Sequence, residues 1–488
     1  MPIPTNRHKE HRKPKIGLFG LGLEAYWPQF HTMKARVEKN IAEVEARLRT
    51  LPCEVANFGQ VDNDSSALEA GLFFCREAVD LIVCYLVSYG TSDLALRVIQ
   101  RRRAPVLVLS LQPTAALDYE NANTEDMLVY CSSCGVPEIS NVFARARIDF
   151  NLVSGVLDRS HPAGEKAWKQ VESWVGAARV AHNLQTSRFG YLGHAYPGML
   201  DMYADFTAHQ IQFGSHVEMV EMCDLNHRLK QVGEAEVQDR LNEVRRQFVI
   251  AEESPADPLA TAPSPEQLTW STRVACAMEK LMDDLQLDGF TSYYRGFDNE
   301  AYESLGASLI LGGTLLTGRG IPCAGEGDLK NCFTMYMMEL MGAGGAFAEF
   351  YAMDANEQFM LIAHDGPGNF AISDSKPTLR GLGVFHGKRG TGVSVEFRVK
   401  LGPVTILGMA QNAEGRLKLI VAEGESIEGP VLRIGNTCSR IDFHRPPADF
   451  IQDWTRHGPT HHFALGIGHL SGKIEYVAKL MNLELAKV

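Results

Sequence analysis

The sequence predicts an α/β protein with two Rossmann-like domains built on parallel sheets, followed by a C-terminal antiparallel, β-rich domain that forms a small barrel. Three observations lead to this prediction. The first 180 residues alternate short β-rich runs with helical segments, a further strand and a Gly/Pro-rich loop begin at residue 187, and strands with tight turns dominate after residue 344. A chain of 488 residues, 45% of them hydrophobic, is also too long for a single core.

The N-terminal region carries its β-rich runs in "KIGLFGLG", "CEVANFG", "VDLIVCYLV" and "APVLVLSLQP", with helical segments such as "MKARVEKNIAEVEARLRTL" and "LALRVIQRRR" between them. Strands separated by helices of this length pair in parallel, and helices cover both faces of the sheet. The loop "GLGLEAYW" lacks the third glycine of a GxGxxG nucleotide loop, so we interpret it as a strand-to-helix turn. We expect this domain to span residues 1–182.

Two further domains are expected. The second, over residues 183–343, begins with the strand and loop in "SRFGYLGHAYPGMLDM", and its stretch "AEESPADPLATAPSPEQ" predicts an exposed connection between two helical segments. The third, over residues 344–488, contains "GVSVEFRVKLGPVTILGMAQNAEGRLKLIVAEGES". The short separators "LGP" and "NAEG" in that stretch are typical of turns between antiparallel strands.

Composition restricts the partners and the compartment. The net charge of -12 argues against nucleic acid, because phosphate binding requires a basic face. No run approaches the roughly 18 apolar residues of a membrane span, and no secretory segment is visible, so we expect no membrane partner and a cytoplasmic location. Ten cysteines without a regular framework fit a reducing compartment. The close pair Cys131 and Cys134 lacks a second CxxC for zinc, so we expect it to be structural or incidental.

Two carboxylates, Glu326 and Asp328, lie in "IPCAGEGDLK", just before a strongly apolar segment. Apolar residues at helical spacing from Leu329 to Met341, stopped by "GAGG", predict a helix of about three and a half turns. Asp328 is then expected at the N-cap of this helix. Glu326 stays on the preceding loop, where the flanking glycines allow another group to come close.

A β-hairpin is predicted from "AFAEFYAMD" and "EQFMLIAHDG", with its turn at "DANE". Glu349 and His364 lie at equal distances from the midpoint of that turn, so we expect them to face each other with Cβ atoms about 5 Å apart. A carboxylate and an imidazole placed in this way suit a divalent metal ion. A Glu–His ion pair on a solvated face explains the same spacing.

Three histidines lie in the otherwise apolar stretch "GPTHHFALGIGH". A buried histidine pair with no role is unfavourable unless both rings are hydrogen-bonded. Either His461 or His462 would therefore join the preceding candidates in a ligand set of two carboxylates and two imidazoles. The set would comprise Glu326, Glu349, His364 and one of these two histidines. It leaves one or two octahedral positions open for adjacent oxygens of a sugar.

The C-terminal half resembles the L-arabinose isomerase family of bacterial sugar isomerases, which is related more distantly to L-fucose isomerase. The resemblance rests on "CAGEGDLK", "AFAEFYAMD", "MLIAHDG" and "GPTHHFALGIGH", in the family's order and at near-family spacings. Weaker likeness extends through "FGYLGHAYPGM" and "GFTSYYRGFDNE" into the N-terminal sheet. The resemblance to the family implies that four residues bind Mn²⁺, or a similar ion such as Co²⁺ or Mg²⁺, and that the second histidine of the pair is one of them. These ligands are Glu326, Glu349, His364 and His462.

The resemblance also implies the activity of an aldose–ketose isomerase acting on a small-molecule sugar. Glu326 and Glu349 would move the proton between C1 and C2 while the ion stabilises an enediolate, although a metal-assisted hydride shift would use the same ligands. The family implies a homo-oligomer, a trimer-based hexamer. Loops that match the family's substrate loops suggest sugar contacts, each of which is equally compatible with core packing: Gln29, Met199, Tyr293 and Tyr294, with Glu24, His194 and Arg295 as weaker candidates.

The sequence departs from the family in two sugar-binding loops. A Gln-His pair of the family is replaced here within "GLGLEAYWPQF", and a His-Gly-Gly-Arg loop is replaced by "CGVPEISN". The substrate therefore need not be L-arabinose, and a hexose or 6-substituted hexose is a candidate.

Two alternative functions stay open. A basic cluster in the substrate loops would favour another metal-dependent sugar or sugar-acid epimerase or lyase, and Arg295 is the only obvious candidate for it. A non-catalytic sugar-binding protein gives no reason to keep four metal-type side chains.

Overall fold

In the computed structural model of the protein, the described residues are 11–101, 104–252, 259–295, 301–382, 384–385, 388–389 and 391–488. The chain divides into two compact units. The N-terminal unit comprises Arg12–Asn183, and the C-terminal unit comprises Leu184–Val488 together with His11. Part of the expected exposed connection, residues 253–258, lies outside the described residues, as do residues 296–300 of "GFTSYYRGFDNE".

The N-terminal unit is built on a five-stranded parallel sheet. Its strands are β1 (Lys15–Leu21), β2 (Glu54–Val61), β3 (Leu81–Leu86), β4 (Val106–Gln112) and β5 (Phe150–Val156). Its helices are α1 (Met33–Leu48), α2 (Asp64–Glu77), α3 (Ser92–Ile99), α4 (Thr124–Val129), α5 (Ser132–Arg145) and α6 (Pro162–Gln185). The strand order is β2-β1-β3-β4-β5, with every pairing parallel. In this doubly wound order a crevice forms beyond the carboxyl ends of β1 and β3, where the connections leave in opposite directions.

The C-terminal unit begins with a second parallel sheet. The strands of this part are β6 (Arg188–Gly193), β7 (His216–Val220), β8 (Val249–Ile250), β9 (Ala260–Thr261), β10 (Gly289–Tyr293) and β11 (Cys323–Ala324). The helices are α7 (Phe206–Phe213), α8 (Met222–Leu229), α9 (Glu234–Gln247), α10 (Pro265–Leu285), α11 (Glu303–Gly306), α12 (Ile310–Thr317) and α13 (Leu329–Leu340). The sheet has the order β11-β10-β6-β7 and is parallel throughout.

The remaining strands form a barrel and, together with β8 and β9, two small sheets. They are β12 (Ala346–Asp354), β13 (Phe359–His364), β14 (Thr378–Leu382), β15 (Val384–Phe385), β16 (Lys388–Arg389), β17 (Val393–Glu396), β18 (Gly402–Gln411), β19 (Leu417–Ile427), β20 (Thr437–Asp442), β21 (His462–Ile467) and β22 (Glu484–Lys487), with helices α14 (Pro447–Arg456) and α15 (Ser471–Leu480). The order β18-β21-β12-β13-β20-β19 closes on itself because β19 also pairs with β18. The prediction of parallel α/β regions followed by a small β-rich barrel is confirmed.

Helix α13 links the parallel sheet to the barrel. It packs against β10 on one side and against β18 and β21 on the other. The predicted helix is confirmed, and so is its cap, because the Asp328 carboxylate accepts a hydrogen bond from the backbone N–H of Asn331 at 3.0 Å. The loop that carries Glu326 is therefore anchored beside two barrel strands.

The predicted register of the hairpin is wrong by one residue at its open end. Near the turn, β12 and β13 pair as expected, but a β-bulge at Tyr351 inserts one extra residue. Glu349 therefore pairs with Ala363 instead of His364 on β13, and with His462 on its other neighbour, β21. The run "AFAEFYAMD" is apolar at most positions, so it carries no alternating pattern that an inserted residue would interrupt, and the sequence did not reveal the bulge.

The division into three domains, 1–182, 183–343 and 344–488, stays a prediction. Within the part of the chain that the structure describes, no helix combines the length and the apolar character needed to cross a bilayer.

Candidate metal and sugar site

Two histidines and two glutamates converge in the C-terminal unit. The Nε2 atoms of His364 and His462 lie 3.2 Å apart. Glu326 Oε2 lies 3.7 Å from His462 Nε2, and Glu349 Oε1 lies 4.0 Å from His364 Nε2. The two imidazoles and Glu326 are buried, whereas the side chain of Glu349 keeps 29% exposure. The four residues predicted as metal ligands thus lie in one cluster.

Strand pairing explains how the barrel places this cluster. Glu349 and His462 are direct cross-strand partners on β12 and β21, so their side chains share one face of the sheet. Phe347, two residues before Glu349, points to the same side. Its ring centroid lies 4.0 Å from that of His364 and 4.4 Å from that of His462. An aromatic ring therefore packs against both imidazoles and restricts their rotation.

The backbone at Glu326 adopts an unusual conformation. Its φ is +60°, in the left-handed region that side chains other than glycine rarely enter, and Gly327 follows with φ +74°. Two backbone hydrogen bonds hold this turn. The carbonyl of Glu326 accepts from the N–H of Tyr196 at 2.8 Å, and the N–H of Gly327 donates to the carbonyl of Ser292 at 3.2 Å. Such local strain persists only where the surrounding structure enforces it.

Asp328 orients the ring of His462. The carboxylate Oδ2 of Asp328, which is completely buried, lies 3.0 Å from His462 Nδ1. A buried carboxylate at this distance keeps the imidazole proton on Nδ1. The lone pair of Nε2 then faces Glu326 and Glu349, which is the arrangement that a metal-binding histidine requires.

His364 has partners for both of its neutral tautomers. Its Nδ1 accepts a hydrogen bond from the N–H of Gly366 at 2.8 Å and lies 3.3 Å from Asp365 Oδ1. When Nδ1 is the acceptor, Nε2 carries the proton and donates it to His462. When Nδ1 is protonated and faces Asp365, the Nε2 lone pair becomes free to bind a cation.

The donor set fits a divalent cation. Neighbouring ligands of an octahedral ion with bonds of about 2.1 Å lie about 3 Å apart, and opposite ligands about 4.2 Å apart. The three distances between donor atoms, 3.2, 3.7 and 4.0 Å, lie between the neighbouring-ligand and the opposite-ligand distances. Two imidazole nitrogens with two carboxylates form a mixed ligand set that suits transition-metal ions such as Mn²⁺ and Co²⁺ better than Mg²⁺. Ligand atoms of Glu349, His364 and His462 all lie within 4.8 Å of one another.

The surroundings of Glu349 favour the protonated form of its carboxyl group. Burial raises the pKa of Glu349, and the charges of Glu326 and Asp365 raise it further, while His462 and His461 act in the opposite direction. Glu349 is therefore a carboxyl group that holds a proton more readily than an exposed glutamate does. This property suits a group that exchanges protons with a substrate near neutral pH.

His461, the alternative ligand, is held by an aspartate. Both its Nδ1 and its backbone N–H contact Asp201 Oδ2, at 2.6 and 2.9 Å. Burial opposes charging of the ring, but the Asp201 carboxylate outweighs burial and raises the pKa of His461. Buried Lys330 donates to the main-chain carbonyls of Asp201 and Tyr203 and so holds this turn. Ligand atoms of His461, His462 and Glu326 also lie within 4.8 Å of one another, so the choice between the two histidines stays a prediction.

A cavity of about 30 Å³ adjoins the cluster. Its walls include Glu326, His364, Tyr293 and Tyr294, so two of the four predicted sugar contacts lie beside the predicted ligands. Burial and the neighbouring Tyr196 raise the pKa of Tyr293 to about 12, which keeps its hydroxyl group protonated as a hydrogen-bond donor.

The other predicted contacts are not among the residues that line this cavity. Met199 directly precedes the short 3-10 turn that carries Asp201. Gln29 belongs to the N-terminal unit, where its Nε2 donates to the carbonyl of Ala25 at 2.8 Å. Of the weaker candidates, Glu24 opens a 3-10 turn in that unit, the ring of His194 packs against Tyr293 at 5.2 Å, and Arg295 is exposed.

Sequence reasoning missed several residues of the site. Asp328 was expected only as a helix cap, although its place in "GEGD" could have signalled a second role. Asp365 directly follows a predicted ligand and could have been found from that position. No pattern in the sequence connects Asp201 or Lys330 with the histidines.

Comparison with known proteins gives the family. Residues 203–344 match the family model for the L-arabinose isomerase central domain, and residues 344–484 match that for the L-arabinose isomerase C-terminal domain. An L-arabinose isomerase of Nocardioides sp. is 22% identical over 419 residues, 83% of this chain and 80% of that protein. A sulfoquinovose isomerase of Alkalicoccus urumqiensis is 24% identical over 423 residues, 86% of this chain and 89% of that protein.

These matches define the class of protein, a sugar isomerase of the aldose–ketose type. The two family models adjoin and together cover residues 203–484, more than half of the chain. The chain belongs to the L-arabinose isomerase family.

Proposed function

We propose that the protein is a metal-dependent aldose–ketose isomerase whose ion, Mn²⁺ or a similar ion such as Co²⁺ or Mg²⁺, is held by two carboxylates and two imidazoles. The proposed ligands are Glu326, Glu349, His364 and His462. The observation that carries the proposal is the pair of imidazole Nε2 atoms 3.2 Å apart, with one carboxylate 3.7 Å from His462 and another 4.0 Å from His364.

Isomerisation moves one proton between C1 and C2 of the sugar and another between O1 and O2. The ion would supply a Lewis acid that stabilises the negative charge developing on these oxygens. The two carboxylates approach the imidazole pair at different rings, Glu326 at His462 and Glu349 at His364. We assign them as the base and acid that take up and return the protons.

The alternative chemistry is a hydride shift between C1 and C2, for which neither carboxylate handles a carbon-bound proton. Turnover in deuterated water separates the two routes. Proton transfer through Glu326 or Glu349 brings solvent deuterium onto carbon, because a protonated carboxyl group exchanges with water. A hydride shift leaves the product free of carbon-bound deuterium.

For the substrate we propose a hexose or a 6-substituted hexose. Support comes from the two loops, "GLGLEAYWPQF" and "CGVPEISN", that replace the family's sugar-binding residues. Further support comes from the sulfoquinovose isomerase relative, since sulfoquinovose is a hexose with a sulfonate at C6. L-Arabinose, the substrate named for other relatives, belongs in the same test.

The test is ketose formation from a panel of pentoses, hexoses and 6-substituted hexoses by protein stripped with chelator and then supplied with Mn²⁺. Turnover that depends on added metal supports the proposal and identifies the sugar. Tight Mn²⁺ binding without turnover of any aldose would favour the epimerase or lyase alternative. No Mn²⁺ binding would overturn the site.

A matched pair of variants isolates the ligands. We expect His364→Ala to lose bound Mn²⁺, because it removes one of the two imidazoles. His216→Ala is the control, because His216 lies on β7 of the same unit with half of its side chain exposed. Equal Mn²⁺ content in the two purified variants would remove His364 from the ligand set.

We further propose that the protein acts in the cytoplasm as a trimer-based hexamer with three domains, 1–182, 183–343 and 344–488. The family resemblance supports the assembly, and the meeting of the two family models at residue 344 supports the last domain boundary. Light scattering coupled to size-exclusion chromatography tests the hexamer, and a monomeric mass would contradict it.

A further inference from the structure

Two cysteines of the N-terminal unit lie in unusually close contact. The Sγ atoms of Cys131 and Cys134 are 2.7 Å apart, and Cys134 Sγ also donates to the carbonyl of Cys131 at 3.1 Å. Non-bonded carbon atoms, which are smaller than sulfur, are most favourably separated by about 3.5–4.0 Å. Both residues are free thiols, yet their sulfur atoms already lie closer than an ordinary packing contact.

The backbone explains why the two sulfurs can meet. Residues three apart within a helix have Cβ atoms about 5–6 Å apart, whereas a disulfide requires about 3.5–4.5 Å. Cys131 lies just outside the helix, at the N-cap of α5, with φ −81° and ψ 28°, and Cys134 is the third residue of that helix. The non-helical residue supplies the freedom that a helical pair lacks, so a bond can form without unwinding α5.

The two thiols differ in accessibility. Cys134 is exposed and Cys131 is partly buried. Burial, with the hydrogen bond to Cys134, raises the pKa of Cys131 to about 11. A dissolved oxidant therefore meets Cys134 first, and Cys131 keeps its proton until a partner sulfur is presented to it. This division of roles is typical of an attacking and a resolving thiol.

The pair lies beside the loops at the carboxyl end of the parallel sheet. Further along α5, Glu138 accepts hydrogen bonds from the hydroxyl of Tyr89, in the loop between β3 and α3, at 3.0 Å and from the N–H of Ser92, the first residue of α3, at 2.9 Å. Tyr26, in the loop between β1 and α1, lies close enough to both sulfurs that burial and, when they ionise, the thiolates of Cys131 and Cys134 raise its pKa. The thiols thus adjoin both loops that flank the β1/β3 crevice.

We propose that Cys131 and Cys134 form a redox site that closes reversibly into a disulfide at the start of α5. The oxidant is a low-molecular-weight disulfide. The thiolate of Cys134 attacks one of its sulfurs, which gives a mixed disulfide and releases one small thiol. Cys131 then gives up its proton and attacks Cys134 Sγ, which releases the second small thiol. Two protein thiols are oxidised and one small disulfide is reduced to two thiols.

To test this proposal, the protein is exposed to rising concentrations of oxidised glutathione until at least one exposed cysteine has reacted. The remaining thiols are then blocked with an alkylating agent, and the peptides are mapped by mass spectrometry. We expect Cys131 and Cys134 to lose alkylation together, in a peptide lighter by two hydrogens and without glutathione. Dithiothreitol should restore both thiols. The exposed, isolated Cys75 and Cys223 are internal controls and should carry only alkyl groups or glutathione.

Two variants test the order of steps. Cys131→Ser should trap a stable glutathione adduct on Cys134, because the resolving thiol is absent. Cys134→Ser should leave Cys131 alkylated, at an oxidant concentration at which Cys223 already carries glutathione. A persistent glutathione adduct on Cys134 of the unmodified sequence would overturn the proposal. Full alkylation of both cysteines after Cys223 has reacted would overturn it as well.

Discussion

A single buried carboxylate, that of Asp328, joins the start of helix α13 to the ring of His462. Its Oδ1 accepts from the backbone N–H of Asn331 at 3.0 Å, and its Oδ2 lies 3.0 Å from His462 Nδ1. The helix cap and the imidazole orientation therefore depend on the same side chain. The loop that carries Glu326 directly precedes this residue, so loop, helix and histidine are fixed together.

Asp328→Asn separates the two roles. Asparagine still caps the helix with its carbonyl oxygen, but its amide N–H group faces His462 Nδ1 and favours a proton on Nε2, the atom proposed to bind metal. We expect a loss of Mn²⁺ affinity of roughly 10- to 100-fold, the usual effect of removing a partner of a metal-binding histidine. Titration calorimetry with Mn²⁺ measures it, and thermal unfolding shows that the helix cap survives. Unchanged Mn²⁺ affinity would contradict the orienting role.

Glu349→Gln tests the proposed acid/base group. The amide keeps an oxygen that can ligate a metal but cannot exchange a proton, so turnover should fall by roughly 10²- to 10⁴-fold while Mn²⁺ content falls much less. Steady-state kinetics and metal analysis of the same sample check both. Glu414→Gln, in the exposed turn between β18 and β19, is the control and should leave both unchanged. Wild-type turnover in Glu349→Gln with metal bound would show that the assignment is wrong.

Gly327→Ala tests the strained turn. Gly327 and Gly342 have similar conformations, with φ of +74° and +78°, so alanine at either position should cost about 1 kcal/mol in backbone strain. At Gly327 the new Cβ would also lie 2.5 Å from the carbonyl oxygen of His194, whereas at Gly342 the nearest 4 Å are open. We expect Gly327→Ala to be less stable than Gly342→Ala by roughly a further 1–3 kcal/mol, as measured by denaturant unfolding. Equal stability of the two variants would contradict the predicted clash.

His209 predicts a pH dependence of stability. Burial lowers its pKa from 6.5 to about 4, against the opposing effect of the hydrogen bond to the carbonyl of Asp205. The unfolded chain therefore binds this proton first as pH falls. Stability should fall as pH decreases from 6.5 to about 4 and should lose nothing more from this residue below that range.

The size of this effect is about 3 kcal/mol, since each unit of pKa corresponds to about 1.4 kcal/mol. In denaturant unfolding at several pH values, the free energy of unfolding of the wild type should fall as pH decreases from 6.5 to about 4. This fall should be smaller in His209→Gln. His444→Gln is the control, because the side chain of His444 is 58% exposed. An identical loss of stability over this range in wild type and His209→Gln would contradict the prediction.

Much of the fold followed from local patterns. The alternation of apolar runs and helical segments predicted the parallel sheets, and the spacing of apolar residues after Asp328 predicted helix α13 with its N-cap. These features depend on backbone preferences within a few turns or strands, which neighbouring residues express directly. The bulge at Tyr351 did not follow, because the run "AFAEFYAMD" is apolar at most positions and carries no alternation that would mark an inserted residue.

The amino-acid sequence by itself determined which elements form, which residue types stand at their ends and, through four short motifs, the family to which the chain belongs. Only the tertiary structure decided which of those residues meet. His364 lies 98 positions from His462, and Asp328 lies 134 positions from it. Such contacts arise when the barrel closes and α13 packs against it, a result of many weak interactions that no local pattern encodes. The same closure brings Phe347 against both imidazoles and gives Glu349 its neighbour His462.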